Sequence, residues 1–140
     1  MDRKIKGITL IELIIVIAII AIVFSIAMPA FSKWRLSYNI ESDMRKIKAI
    51  LQEGRMQAFT KKIDLYVVLS RTTISLCKDN AGTDCIKTTK LNYTYGNYTV
   101  GISKRGIFTN QLTISYPSSN PSSKDCIIVS RLRVELEKCK

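Results

Sequence analysis

The spacing of apolar positions divides the chain into three stretches. From Ile8 to Met28 there are 21 residues with Glu12 as the only charge. As a helix rising about 1.5 Å per residue, that run would extend about 32 Å and could cross a bilayer. After Pro29 the pattern turns amphipathic, with Ile40, Met44, Ile47, Leu51, Gly54 and Ala58 recurring at steps of four and three on one helix face. Lys46, Lys48, Glu53 and Arg55 fall elsewhere around that helix, which is predicted to run to about Lys61 and to pack residues 40–58 on a head domain. Gly54 on the stripe suits close approach of a strand, or it merely weakens the helix. From Ile63 onward short β-type runs follow: Leu65–Leu69, Thr73–Cys77, Leu91–Ile102, Leu112–Tyr116 and Cys126–Leu136. Polar loops at 79–84 and 117–123 punctuate them. The expected fold is α+β: a long N-terminal helix, half membrane-spanning and half amphipathic, packed on a small antiparallel β-sheet head. The corresponding segments are 1–7, 8–28, 29–62 and 63–140.

Composition narrows the chemistry. The 140 residues carry 22 Lys and Arg against 11 Asp and Glu, formally +11, with a sequence pI near 9.7. That balance favours acidic partners such as nucleic acid or an anionic surface. Histidine is absent, which removes Ser-His and Cys-His triads and the commonest zinc ligand. No Gly-rich phosphate loop or carboxylate cluster suggests catalysis, so no enzyme, cofactor or metal is expected. Cys77, Cys85, Cys126 and Cys139 lie at no metal-site spacing, but their even number suits disulfides in an oxidising compartment. Three connectivities are possible. Cys77 with Cys85 and Cys126 with Cys139 is preferred, because each would close a short local hairpin.

Glu12 is the informative residue of the apolar run, since a carboxylate there costs on the order of 3 kcal/mol on insertion scales and wants a cation. Alternatively it snorkels to the headgroups. Arg3, Lys4 and Lys6 precede the run, and the only nearby glycine, Gly7, also lies before it. A secretory signal would instead have a shorter apolar region followed by a small-residue cleavage site. The stretch from Lys6 through Gly7, Ile8, Thr9, Leu10, Ile11 and Glu12 to Ile20 closely resembles the processing site of type IV pilins and type II secretion pseudopilins. The resemblance implies that a prepilin peptidase cuts between Gly7 and Ile8 and methylates the new amine. Glu12, fifth in the mature chain, would pair with the amine of a neighbouring subunit during assembly. Pro29 would sit where pilins loosen the helix on entering a filament. Ile8 stands where the family usually has Phe. The implied partners are other pilin or pseudopilin subunits, the peptidase and the bacterial inner membrane, with the head in the periplasm. Flanking charge does not predict that orientation, because Lys33, Arg35, Arg45, Lys46 and Lys48 follow the span. The outward head rests on the resemblance and on the cysteine pairing.

In the head, the helix segment Leu51–Ala58, a hairpin over Val67–Cys77 and the C-terminal run Ile127–Val134 resemble the GspH/FimT group of minor pilins and pseudopilins. FimT-like members commonly end in a Gly-Arg-x-Arg motif associated with DNA binding. Here Ser130-Arg131-Leu132-Arg133 keeps both arginines but not the glycine, which matters if that position needs a positive φ. Leu132, Val134 and Leu136 alternate with Arg131, Arg133, Glu135 and Glu137, placing both arginines on one face of a predicted strand. That face could grip phosphates, with Lys138 and Lys140 extending it, or the glutamates could hold the arginines in surface ion pairs. Removing the leader takes away three basic residues and one acidic residue, leaving 19 against 10, or +9. Tyr93, Tyr95 and Tyr98 fit strand positions, or a surface for stacking bases. The expected function is a FimT-like minor pilin that takes part in pilus assembly and binds double-stranded DNA without sequence preference. The alternative is a GspH-like pseudopilin of type II secretion.

Overall fold

A computed structural model of the protein describes residues 9–139. The chain forms two compact units, Met1–Arg35 and Leu36–Lys140.

Helix α1 spans Leu10–Lys61. Thr9 caps its start, its hydroxyl accepting a hydrogen bond from the Glu12 backbone N–H at 3.3 Å. An acidic residue in this first turn also suits the positive end of the helix dipole. Pro29 lies inside the helix without ending it. A proline there removes a backbone donor. Nearby serines bond back to helix carbonyls, Ser25 Oγ to Ile22 O at 2.7 Å and Ser32 Oγ to Pro29 O at 2.9 Å. The helix ends as the sequence predicts, and Lys62 takes the left-handed conformation, φ 57°, that commonly closes a helix.

Within the second unit, α1 buries Ile40, Met44, Ile47, Ile50, Leu51, Gly54 and Ala58, together with one charged residue, Asp43. Two antiparallel sheets complete the head. The first has the order β3-β2-β1-β4, formed by β1 (Leu65–Ser70), β2 (Thr73–Cys77), β3 (Cys85–Lys90) and β4 (Tyr98–Ile102). The second has the order β5-β6-β7, formed by β5 (Leu112–Ser115), β6 (Cys126–Val129) and β7 (Val134–Glu137). Alternation puts Leu65, Val67 and Leu69 of β1 in the core beside Ile74 and Leu76 of β2 and Val100 and Ile102 of β4. A Cβ on Gly54 would stand 2.8 Å from Leu76 Cδ1 and 2.9 Å from Ile102 Cδ1, so glycine here serves close helix–sheet approach.

Three expectations need correction. The run Leu91–Ile102 is a strand only from Tyr98, and residues 91–97 form an ordered loop. Strand β3 was not anticipated, because Cys85-Ile86-Lys87-Thr88-Thr89-Lys90 is a polar edge strand with no fully buried position. The run Cys126–Leu136 is a hairpin, β6 turning into β7, so Arg131 and Arg133 lie on its turn and not on a strand face.

Candidate functional site

At the N-terminus the proposed cut between Gly7 and Ile8 lies outside the described residues. Glu12 sits in the first turn of α1, surrounded by apolar residues that are exposed in the single chain. Leu10, Ile11 and Leu13 are 77, 66 and 58% exposed. So much uncovered apolar surface requires lipid or other helices around it.

At the far end of the chain, the backbone fixes the arginine-bearing turn. Ser130 N–H donates to Arg133 O at 2.8 Å, Phe108 N–H to Arg131 O at 3.0 Å, and Arg55 Nη1 to Leu132 O at 2.7 Å. The carbonyls of all three turn residues are therefore engaged by the head itself. Ser130 does not need a glycine's freedom, since the described non-glycine residues with positive φ are Lys62 and Arg71. Leu132 is 63% exposed at the tip of this turn.

A second basic turn packs beside the first. Ser103, Lys104, Arg105 and Gly106 reverse the chain after β4, with Gly106 N–H donating to Ser103 O at 2.7 Å and Gly106 in the left-handed region at φ 74°. Arg131, Lys104 and Arg105 line one open groove of about 540 Å³ whose acidic member is Asp64. Asp64 accepts the Lys104 backbone N–H at 2.8 Å and so holds this loop in place. Arg105 also borders an adjoining groove with Arg55, Met56 and Phe59 of α1. The structure thus brings Arg131 together with Lys104, Arg105 and Arg55, none of which the sequence pattern singles out as a ligand. The basic turn Ser103-Lys104-Arg105-Gly106 was the signal that could have found two of them.

Other expected residues do not join this site. Arg133 Nε holds Glu135 at 2.7 Å, realising the ion pair that competed with phosphate binding. Lys138 lies past the opposite end of β7, roughly 16 Å along the strand from Arg133 at about 3.3 Å per residue. Lys140 is outside the described residues. Tyr95 is 3% exposed and cannot stack on a base. Its hydroxyl donates to buried Asp43 at 3.2 Å, and burial followed by the Asp43 charge pushes its phenol far above the ordinary tyrosine range.

The cysteines form two disulfides, Cys77 with Cys85 and Cys126 with Cys139, the pairing preferred from the sequence. The first closes the β2–β3 hairpin, in whose loop Asp79 accepts hydrogen bonds from the Thr83 hydroxyl at 2.6 Å and from the backbone of Thr83 and Asp84. Those bonds hold the Asp79 carboxyl down at about 2. The second ties the end of the chain to β6.

Comparison with curated proteins and with solved structures gives no significant match. Residues 2–28 match the prokaryotic N-terminal methylation motif. On an apolar helix followed by an antiparallel head, that motif supports a type IV pilin-like protein.

Proposed function

We propose that this pilin-like chain is a FimT-type minor pilin that helps to assemble a type IV pilus and binds double-stranded DNA through its head. The observation that carries the ligand is the meeting of Arg131 with Lys104 and Arg105 around one open groove, beside Arg55. Phosphate contacts need placed guanidinium and ammonium groups and little else, so such binding is independent of sequence and falls steeply with salt. Arg131 and Arg105 are the phosphate ligands in this reading. Arg55 supports them by fixing the turn through Leu132 O.

The test is a titration of the processed, detergent-solubilised protein with duplex DNA at several salt concentrations. Arg131→Ala should weaken binding equally for unrelated sequences and lower the log–log salt slope by roughly 0.9, the value for one lost phosphate contact. Lys104→Ala with Arg105→Ala should lower it further, whereas Lys138→Ala should change little. Undiminished binding by the Arg131, Lys104 and Arg105 triple variant would remove the site.

A second reading, a GspH-like pseudopilin whose head docks other proteins of a type II secretion system, is favoured by the Arg133–Glu135 pair, which sets a carboxylate against one of the two arginines. Absence of DNA binding near physiological salt, with the gene placed among secretion genes, would select it.

A further inference from the structure

The residues just beyond the apolar span carry a pattern to which the function proposed above gives no role. Phe31 and Trp34 are 60 and 62% exposed, with ring centroids 5.9 Å apart. Lys33 and Arg35 lie among them, and no Asp or Glu occurs between Glu12 and Glu41. Neither cation therefore has an acidic partner three or four positions away on its helix. Cations at this end of a span also oppose export of the downstream chain, so topology gives no reason for them.

We propose that Phe31, Lys33, Trp34 and Arg35 form a collar that binds anionic phospholipid headgroups where the span leaves the bilayer, and so sets the depth of the helix before assembly. Phe31 and Trp34 lie three and six residues beyond Met28, about 4.5 and 9 Å along the axis at 1.5 Å per residue. Helical side chains lean toward the N-terminus, which brings both rings back toward the hydrocarbon edge. They then fall in the interfacial layer, roughly 5–8 Å thick on each side, where amphipathic aromatic rings concentrate. At that level Lys33 and Arg35 meet lipid phosphates, and each adds affinity for an anionic surface. The occupant is the bilayer itself, because the collar continues the helix that is long and apolar enough to cross it.

Trp34 is the chain's single tryptophan, so its fluorescence reports on the collar alone. The full chain is reconstituted in vesicles of phosphatidylcholine mixed with phosphatidylglycerol, with bromine placed at shallow or deep acyl positions of one lipid or the other. Shallow bromines should quench most, and brominated phosphatidylglycerol should quench more than brominated phosphatidylcholine. Lys33→Gln with Arg35→Gln should abolish that difference, at roughly fivefold in lipid preference per cation at low salt. Equal quenching by both lipids in the unaltered chain would overturn the anionic preference. Strongest quenching by deep bromines would overturn the depth assignment. A blue-shifted Trp34 that no brominated lipid quenches, and whose emission depends on protein-to-lipid ratio, would show a second copy of the helix covering the ring and overturn the collar.

Discussion

Asp43 is fully buried, yet nothing about it is unsatisfied. Its carboxylate accepts the Asn92 backbone N–H at 2.7 Å, the Asn92 side-chain amide at 2.9 Å, the Tyr93 backbone N–H at 3.0 Å and the Tyr95 hydroxyl at 3.2 Å. Lys46, one turn away, supplies a cation at 3.4 Å. Burying a charge is tolerable only with this degree of compensation. The result is that residues 91–97, which their β-type composition marks as strand, become a loop clamped to α1. The β1–β2 turn holds the same loop, with Leu91 N–H donating to Thr72 O and Tyr95 N–H to Arg71 O, each at 2.8 Å. Asp43→Ala would leave several buried donors without acceptors, at about 1–3 kcal/mol for each that water cannot reach. The expected loss is about 3 kcal/mol, measured as a lower denaturant midpoint. A variant as stable as the parent would show that the loop relaxes to solvent and that Asp43 is no clamp.

At the scale of elements, the contact between α1 and the first sheet turns on Gly54. Replacing it with Ala gains about 1 kcal/mol of helix propensity. The new Cβ meets the ends of the Leu76 and Ile102 side chains, which can move, and not backbone. The two effects oppose each other, so Gly54→Ala should lie within about 1 kcal/mol of the parent, whereas Gly54→Leu should cost about 1–3 kcal/mol or more by overpacking. Thermal melts of the two variants decide it, and equal tolerance of Leu would mean that helix and sheet are not closely packed there. The apolar stripe of α1 was legible because a 3.6-residue period leaves one readable face, and its end at Lys61 came from the loss of that period. Strand β3 was not, since an edge strand with both sides wet has no apolar alternation to detect. The β6–β7 hairpin escaped because apolar alternation runs through Arg131 and Arg133 with no glycine or proline to mark the turn. The groove was invisible for another reason: Arg55, Arg105 and Arg131 are brought together only by tertiary hydrogen bonds such as Arg55 to Leu132 O and Phe108 to Arg131 O.

The whole molecule is organised around an anchor whose apolar surface stays uncovered and a head whose core is closed. An ionised Glu12 within that anchor is unfavourable in hydrocarbon by on the order of 3 kcal/mol, so its retention calls for a compensating cation. Its backbone N–H is engaged by the Thr9 hydroxyl, so the cap itself does not involve the carboxylate. If Glu12 pairs with the amine of a neighbouring subunit, as the prepilin resemblance implies, loss of the carboxylate should spare the fold and the peptidase step while weakening assembly. In the native host, Glu12→Ala should yield a chain shortened by residues 1–7 and methylated, visible by mass, with the protein present in the membrane and missing from sheared filaments. Glu12→Gln should behave the same way, because the amide keeps the shape and loses the charge. Filament incorporation of both variants at parental levels would show that packing of the apolar helix alone drives assembly, and an uncut Glu12→Ala chain would place the carboxylate in recognition by the peptidase instead.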